Sequence, residues 1–418
     1  MRLSRLFTKP LRQAPKDEAS VNAKLLERGG FVYKNSAGIY TLLPLGFRVI
    51  AKISDIIREE MNAIGAEELF MPALHDKKYL TATGRWDVDV LFKVVSGKEK
   101  EPLFNISWTH EEIAAEIASK FVNSYNDLPF SFYQIQTKFR NEARAKSGLL
   151  RGREFLMKDL YSFHQNEKDM LKFYGEVRKA YEKIFKRCGL DSIYTLAGGG
   201  DFTASNTHEF QVVAPVGEDT IFVCSKCGYA ENEEVSKMKN GGVCSECGKG
   251  KVKEEKSIEV GNIFPLGTKY SEAFDLNFTD KDGNKNLVIM ASYGIGVGRT
   301  MAAVVEMSHD EKGIIWPESI SPFRVIIVEI LSGKDKDKKV VNTAEKIYND
   351  LQTKGVEVLY DDRKGKSAGE KFAEADLLGI PCRVVVSGKT VDAGKIELKK
   401  RDKKNSELIK REEFFKIL

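Results

Sequence analysis

Two neighbouring segments carry polar and charged residues at alternating positions, as strands with one polar face do. Residues 132–142 place on one face Gln134, Gln136, Lys138, Arg140 and Glu142. Residues 154–161 place on one face Phe155, Met157, Asp159 and Tyr161. The loop between them is basic, with Arg144, Lys146, Arg151 and Arg153. The pattern predicts a hairpin that holds a polar, anionic ligand. Alternation is also typical of an antiparallel sheet with one solvated face.

Four of the six cysteines form two Cys-x-x-Cys pairs, each followed by a glycine that suits a tight turn around a metal. The pairs are Cys224, Cys227, Cys244 and Cys247. Four thiolates are typical of a structural zinc site, which keeps no position open for a substrate. The alternative is four reduced thiols without a metal.

A glycine-rich turn offers a second place where the backbone can approach a ligand. An apolar strand at 287–293 runs into glycines at 294, 296 and 298, and Arg299 follows at the start of a predicted helix. The GxGxG spacing differs from the GxGxxG of dinucleotide-binding proteins, so we disfavour that interpretation. An arginine at a helix start is well placed to bind a phosphate.

Helices and strands must position these groups. The periodicity predicts an amphipathic helix at 46–64, then a strand at 67–71 that Pro72 stops, and a long helix at 167–187. Apolar and polar stretches alternate again from residue 324 onward, which predicts a small α/β domain with a largely parallel sheet. Its basic end fits a solvated face or an RNA contact.

Three further polar residues have both a structural and a functional interpretation. Thr109 and Glu112 predict a capping box for a helix that starts near Trp108. Glu111 has no such structural role and is either solvated or functional. His208 precedes a predicted strand at 210–213, where a lone histidine is more often structural than catalytic.

Composition restricts the class of protein. The chain has 418 residues, of which 42% are hydrophobic, enough for two or three domains with cores. A net charge of +5 permits a nucleic-acid partner without demanding one. No apolar run approaches the roughly 20 residues of a membrane span, so we expect no membrane partner. The basic first residues fit either a transit peptide or the start of a folded domain.

Taken together, these segments resemble the class II aminoacyl-tRNA synthetases, and among them the prolyl-tRNA synthetases of bacterial type. The class is indicated by three motifs: the helix, strand and Pro72 of motif 1, residues 139–142 with Arg151 and Phe155 of motif 2, and residues 294–299 of motif 3. The subfamily is indicated by four phrases, at residues 41–46, 107–112, 155–164 and 261–270. Residues 360–381 are similar to the anticodon-binding domain of class IIa.

The resemblance implies an α+β catalytic domain with an antiparallel sheet, in two parts at 1–223 and 258–320. A zinc-ribbon-like insertion at 224–257 would separate these parts, and a C-terminal α/β anticodon-binding domain would occupy 321–418. It also implies a homodimer formed through motif 1. We expect a cytoplasmic location, with an organellar one as the alternative.

The resemblance also implies roles for site residues. ATP would be bound by Arg140, Glu142, Arg151, Phe155 and Arg299, with Arg140 and Arg299 as the catalytic residues. Arg140 would hold the α-phosphate and the substrate carboxylate, and Glu142 would accept from the adenine amino group. Phe155 and Arg299 would cover the two faces of the adenine, and Arg151 would reach the terminal phosphates. Proline would be bound by Thr109, Glu111, Arg140 and His208.

The implied reaction has two steps. Proline attacks ATP to give prolyl-adenylate and pyrophosphate, and the 3′ end of tRNA(Pro) then takes the prolyl group. Positioning and charge neutralisation, helped by Mg²⁺, would supply the rate without a covalent nucleophile.

One departure from the family is large. Typical bacterial relatives carry a sizeable editing domain between motifs 2 and 3, and here only the short cysteine-containing segment lies there. So small a segment has no room for an editing pocket with its own core. We therefore expect a synthetase without cis editing of Ala-tRNA(Pro).

Three alternatives stay open on the sequence. The first is a class IIa synthetase for threonine, histidine or glycine, which the residues at 109–111 and 261–270 disfavour. The second is a synthetase-like binding subunit without catalysis, in which loss of Arg140 or Arg299 would be expected. The third is a zinc-dependent RNA-binding protein, which does not explain the polar hairpin.

Overall fold

The computed structural model describes residues 1–14, 18–200, 202–333 and 337–417. In chain order the helices are α1 Val21–Arg28, α2 Pro44–Ala63, α3 Lys77–Ala82, α4 Glu111–Phe121, α5 Glu167–Arg187, α6 Lys269–Ala273, α7 Val297–Met307, α8 Asp337–Thr353, α9 Ala368–Leu378, α10 Gly388–Asp392 and α11 Arg411–Ile417.

The strands in chain order are β1 Val32–Ser36, β2 Ile39–Leu42, β3 Glu67–Glu68, β4 Leu74–Asp76, β5 Phe92–Val94, β6 Phe104–Ile106, β7 Phe130–Phe139, β8 Glu154–His164, β9 Ile193–Ala197, β10 Thr207–Val213, β11 Asp219–Cys224, β12 Ala230–Asn232, β13 Val252–Gly267, β14 Asn277–Thr279, β15 Lys285–Leu287, β16 Ile289–Gly296, β17 His309–Asp310, β18 Gly313–Ile314, β19 Val325–Ile330, β20 Val358–Asp361, β21 Cys382–Ser387, β22 Ile396–Lys400 and β23 Glu407–Ile409. The chain divides into two compact units. The larger comprises Asn35–Tyr40 and Ile53–Ala303, and the smaller comprises Met1–Lys34, Thr41–Lys52 and Val304–Leu418.

The larger unit is built on a nine-stranded sheet in the order β10-β9-β12-β11-β13-β16-β8-β7-β3. Neighbouring strands are antiparallel except for the pairs β9–β12 and β3–β7. Strand β10 also pairs with β13, so these two strands and β9, β12 and β11 close into a ring. The predicted antiparallel sheet is confirmed.

The predicted hairpin forms the centre of this sheet as β7 and β8. Its register places Gln134 opposite Asp159 and Lys138 opposite Phe155, so the polar positions of both strands share one face, as predicted. On the other face, Lys158 donates to the carbonyl of Tyr293 at 3.1 Å.

Helix α5 covers that other face. It begins at Asn166, whose side chain accepts the N–H of Asp169, and basic residues in its last turn suit the negative end of the helix dipole. Its buried side chains, among them Tyr181 and Phe185, pack against β8, β13 and β16. One face of the sheet is therefore core, and the polar face of the hairpin is left for a ligand.

Strand β13 continues through residue 257, where the sequence suggested a domain boundary. Its first half pairs with β11 beside the cysteine pairs, and its second half pairs with β10 and β16. The cysteine-containing segment therefore shares its strands with the large sheet.

The smaller unit contains a five-stranded sheet in the order β20-β19-β21-β22-β23. The first three strands are parallel and the last two add antiparallel pairs, which fits the predicted, largely parallel sheet. Helix α9 begins with a capping box between Ser367 and Glu370 and ends at Gly379, whose φ of 72° suits glycine. The N–H of Leu3 donates to the carbonyl of Tyr360 in β20 at 2.8 Å.

Two local predictions were wrong. The strand expected at 67–71 is limited to Glu67–Glu68, because side chains of β7 form hydrogen bonds with the backbone of Met71. The Met71 N–H donates to Gln134, and the Met71 carbonyl accepts from Gln136. The capping box at Thr109 does not form, because α4 begins at Glu111 and the Thr109 hydroxyl donates to the carboxylate of Glu111 instead. Within the described ranges, no helix is both long and apolar enough to cross a membrane.

Candidate active site

A cavity of about 340 Å³ opens on the polar face of the large sheet. Its lining includes all five residues expected to bind ATP, namely Arg140, Glu142, Arg151, Phe155 and Arg299. Two glycines of β16, Gly294 and Gly296, also line it. A Cβ atom on Gly294 would lie 3.0 Å from the side chain of Asn262, so glycine keeps this wall open.

Arg140 directly follows β7 and faces the cavity. Its guanidinium carbon lies 5.3 Å from the ring centroid of Phe155. Its Nε is buried and has no hydrogen-bond partner within the described part of the chain. Burial and, second, the positive charge of Arg299 lower the pKa of Arg140. A half-buried cation with a buried, unmet donor is a site for an anion.

Arg299 sits in the first turn of α7 and is fixed by three bonds. Its Nε donates to the carbonyl of Leu150 at 2.9 Å, and its Nη1 donates to the carbonyl and the carboxylate of Glu259, both at 2.9 Å. One arginine of the cavity is thus held in place by protein groups, whereas Arg140 keeps a donor for a ligand.

Arg151 closes one side of the cavity by pairing with two carboxylates. Its Nε lies 2.9 Å from Glu142, and its Nη1 donates to Glu218. Burial opposes ionisation of Glu142, but the bonds from Arg151 and from the N–H of Arg144 outweigh it and lower the pKa of Glu142. A ligand that takes over Arg151 would release both carboxylates.

A second polar group surrounds Glu111 at the start of α4. The hydroxyl of Thr109 lies 2.8 and 2.7 Å from the two carboxylate oxygens of Glu111. The guanidinium of Arg85 lies 3.1 Å from Glu111 and binds Glu112 through two bonds of 2.8 Å. Burial raises the pKa of Glu111, although Arg85 opposes this.

A buried network connects this group with the hairpin. The carboxylate of Asp159 lies 2.7 Å from Lys138 Nζ and accepts from Gln134 at 2.9 Å and from Tyr161 at 2.8 Å. The Tyr161 hydroxyl in turn accepts the N–H of His110, between Thr109 and Glu111, at 3.1 Å. These hairpin side chains are buried, so the alternative of a solvated face is wrong for this part of the sheet.

His208 lies on the other side of the sheet, apart from the cavity. It is the second residue of β10 and is hydrogen-bonded to the hydroxyl of Tyr174 of α5 at 3.0 Å. Its ring stacks on Tyr194 with centroids 4.3 Å apart. The proline-binding role that the resemblance implied for His208 finds no support in this position, because the side chain points toward the helix that covers the opposite face.

The four predicted metal ligands come together at the end of β11. Their Sγ atoms all lie within 4.8 Å of one another, with Cys224 and Cys247 at 3.7 Å and Cys227 and Cys244 at 3.9 Å. A tetrahedral zinc with bonds of about 2.3 Å separates its sulfurs by about 3.8 Å, so the spacing fits this ion. The N–H of Lys226 points to Cys224 Sγ at 3.4 Å, and a Cβ atom on Gly250 would lie 2.2 Å from that sulfur.

Two residues of the site escaped the sequence analysis. Arg85 lies in an irregular stretch between Gly84 and Trp86, where no periodicity marks it. Glu259 precedes the phrase at 261–270, in a strand rich in charged residues. The only sequence signal for Arg85 is a charged residue beside an apolar one, and that signal is weak.

Two family matches cover most of the chain. Residues 92–308 match the tRNA synthetase class II core domain (G, H, P, S and T), and residues 325–418 match an anticodon binding domain.

Curated relatives are similar along nearly the whole length. The proline–tRNA ligase of Caldicellulosiruptor saccharolyticus is 35% identical over 554 aligned positions, covering 97% of this chain and 96% of the relative. The proline–tRNA ligase of Sulfurimonas denitrificans is 38% identical over 432 positions, with the same coverage.

Solved structures share the fold. The Giardia lamblia prolyl-tRNA synthetase in complex with prolyl-adenylate superposes with a TM-score of 0.78 at 22% identity, covering 96% of this chain and 77% of that one. The Cryptosporidium parvum prolyl-tRNA synthetase complexed with L-proline and AMP gives a TM-score of 0.76 at 19% identity, covering 94% and 72%.

Proposed function

The chain belongs to the proline–tRNA ligases of bacterial type, and we propose that the cavity around Arg140 and Arg299 is where it activates proline. The observation that carries the proposal is the buried Nε of Arg140, which has no partner among the described residues. Three arginines line this cavity and attract a molecule with several negative charges, and their planar forks suit phosphate and carboxylate oxygens.

ATP would occupy this cavity as its Mg²⁺ complex, in which the cation offsets charge on the phosphates. We place the adenine between the ring of Phe155 and the guanidinium of Arg299, with Glu142 accepting from its amino group. Arg151 would leave its carboxylate partners for the terminal phosphates, because phosphate oxygens are comparably strong acceptors. The α-phosphate would then lie against Arg140.

Proline would bind beside the α-phosphate with its imino nitrogen on Glu111. Thr109 holds the Glu111 carboxylate, and Glu111 lies close enough to Arg140 to affect its pKa. Arg140 would thus face both the proline carboxylate and the α-phosphate that this carboxylate attacks. His208 is left out of this assignment, since it is hydrogen-bonded to Tyr174 and stacked on Tyr194.

The chemistry follows from this placement. An oxygen of the proline carboxylate attacks the α-phosphorus, the bond to the bridging oxygen breaks, and pyrophosphate leaves. A ribose hydroxyl at the 3′ end of tRNA then attacks the prolyl carbonyl, and AMP leaves. Arg140 stabilises the charge that develops on the α-phosphate, which is usually the largest catalytic contribution of a site of this kind.

The four cysteines would hold a structural zinc. The sulfur spacing and the N–H groups directed at Cys224 support this assignment. Four thiolates leave no open coordination position, so the ion would stabilise the segment and take no part in the reaction. Asn232, in β12 of the same segment, donates to Glu209 of β10 at 3.0 Å, and the segment would thereby support the sheet near the cavity.

We further propose that the enzyme lacks cis editing. The alignment with the Caldicellulosiruptor relative spans 554 positions, whereas this chain has 418 residues, so that relative contains residues with no counterpart here. The remaining partner assignments are tRNA(Pro) at the anticodon-binding domain, a second copy of the chain and a cytoplasmic location.

Pyrophosphate exchange into ATP, measured with each of the twenty amino acids, tests the proposed pocket. Exchange that requires proline in the unaltered protein, and that is abolished in Arg140→Ala, supports it. Proline-dependent exchange that survives this substitution would place the activation site elsewhere.

A further inference from the structure

Arg85 is almost fully buried and sits in a cage made of carboxylates and aromatic rings. It is 3% exposed, and its Nη1 donates to the hydroxyl of Tyr270 at 2.8 Å. Its guanidinium carbon lies 4.6 Å from the ring centroid of Trp108 and 5.4 Å from that of Phe202. Such packing fixes the guanidinium, since planar contacts and several bonds leave it no other rotamer.

Arg85 binds the two carboxylates unequally. Glu112 receives two bonds of 2.8 Å from Arg85 and a third from the hydroxyl of Thr83 at 2.7 Å. Glu111 receives one longer contact of 3.1 Å from Arg85. A bidentate arginine pair is the stronger of the two interactions, so Glu112 takes most of the neutralising charge.

The charge count of this group does not balance. One guanidinium faces two carboxylates that are 3% and 1% exposed, and no other described cation lies within ion-pair distance of either one. The nearby Lys138 is paired with Asp159 at 2.7 Å. One negative charge is left over among these three groups, and a cationic ligand at Glu111 would supply the missing counter-ion.

We propose that Arg85 and Glu112 are positioning residues that set the specificity for a cationic imino group, by fixing Glu111 and leaving one net negative charge on it. This rests on the proposed function, in which Glu111 binds the imino nitrogen of proline. Glu112 touches no substrate in this arrangement. Its charge cancels that of Arg85, and the carboxylate of Glu111 therefore keeps its full attraction for a cation.

The test compares proline with tetrahydrofuran-2-carboxylate, in which an uncharged ring oxygen replaces the imino group. The KM for proline and the inhibition constant of this analogue are measured by ATP–pyrophosphate exchange. In Glu112→Gln the pocket loses its net charge, and we expect the KM for proline to rise about tenfold or more, with kcat changed about threefold at most. The inhibition constant of the uncharged analogue should stay within about twofold, so the ratio of this inhibition constant to the KM for proline falls.

Arg85→Lys provides a second, independent variant. A lysine retains the charge but cannot bind both oxygens of Glu112 and also reach Glu111, so we expect a smaller rise in the KM for proline than with Arg85→Gln. Asp191→Asn is the matched control, because it removes one carboxylate from an exposed pair with Lys186 and should change neither constant.

The outcomes separate the two proposals. Absence of proline-dependent exchange in the unaltered protein would remove the proposed function. Normal exchange there, together with an unchanged ratio of the two constants in Glu112→Gln, would overturn the role of Arg85 and Glu112. Glu112→Gln is not informative if its thermal midpoint falls to the assay temperature. In that case Arg85→Lys decides, because an unchanged ratio of the analogue's inhibition constant to the KM for proline in that variant also overturns the inference.

Discussion

The carboxylate of Glu259 binds the guanidinium of Arg299 at 2.9 Å, so this arginine of the cavity is fixed without a ligand. The same arginine donates to the backbone carbonyls of Leu150 and Glu259. Fixed donors stabilise developing charge without a reorganisation cost during the reaction. Arg299 is therefore held by protein groups, whereas Arg140 keeps an unmet donor, which we assign to the substrate.

Glu259→Gln should weaken ATP binding more than proline binding. The neutral amide replaces the ion pair with a weaker bond, so the guanidinium is held less firmly and the KM for ATP rises about tenfold. Steady-state pyrophosphate exchange at varied ATP and at varied proline measures both constants. An equal rise of the two KM values would contradict the assignment of Arg299 to the nucleotide.

Arg140→Lys should lower kcat for proline activation by about a hundredfold or more, because a lysine lacks the fork that reaches two anions at once. Single-turnover formation of prolyl-adenylate measures this step. Arg178→Lys is the matched control: this arginine of α5 stacks on Tyr194, on the face opposite the cavity, and its replacement should leave the rate nearly unchanged. Equal effects of the two substitutions would point to a general loss of structure.

Removal of the metal should destabilise the larger unit. Cys247→Ser leaves three thiolates, so we expect loss of bound zinc and a thermal midpoint lower by about 5 °C or more. Elemental analysis of the purified protein and a thermal melt provide the two readouts. Cys382→Ser changes a cysteine outside the cluster and should retain the metal. A protein that contains no zinc as purified and is unaffected by Cys247→Ser would contradict the zinc assignment.

Purified enzyme should leave Ala-tRNA(Pro) intact while it forms Pro-tRNA(Pro). A pocket that fits proline discriminates against a smaller side chain by only about 1–3 kcal/mol per methylene, so some mischarged alanine should also accumulate. Deacylation of pre-formed Ala-tRNA(Pro) by the enzyme alone is the measurement. Hydrolysis well above the rate in buffer would show that an editing site exists after all.

Stability should fall on mild acidification because of buried histidines. Burial lowers the pKa of His75 and of His208 to about 4, and that of His110 to about 3. In the unfolded chain these groups have a pKa of about 6.5, so between pH 6.5 and 4 the unfolded chain binds more protons. The free energy of unfolding is therefore retained above pH 6.5 and falls as the pH drops through that window.

His208→Gln isolates one of these protons. Urea unfolding midpoints of the variant and the unaltered protein, measured at several pH values from 7 to 4.5, should converge as the pH falls, because the variant loses less stability. Two parallel curves would show that His208 does not titrate in this way.

The sequence pattern predicted the hairpin and the α/β domain at the C-terminal end of the chain. Period-two alternation fixed which side chains of β7 and β8 share a face, and the register of Gln134 with Asp159 agrees with it. The 21 residues of α5 agree with the predicted 167–187, since an asparagine cap and a consistent apolar stripe mark both ends. Local interactions suffice for such elements, and local interactions are what a sequence displays.

The surroundings of Thr109 show where local rules fail. The residue pattern predicted a capping box with Glu112. In the structure Arg85 donates to Glu112, and the Thr109 hydroxyl donates to Glu111. A guanidinium 27 positions away offers Glu112 stronger bonds than a helix cap does, and only the fold brings it there. The same holds for His208, which was predicted at the entry to a strand but whose face was decided by packing against α5.

By itself the sequence determined the family motifs, the polar face of the hairpin and the four cysteines that we propose as metal ligands, because these depend on residue type and short spacing. Only the tertiary structure decided that Arg299 is held by Glu259, that Arg140 keeps an unmet donor, and that Arg85 joins two carboxylates. Each of these depends on charges from distant segments that meet in a buried place. There a missing or extra partner costs several kcal/mol, and no local pattern records it.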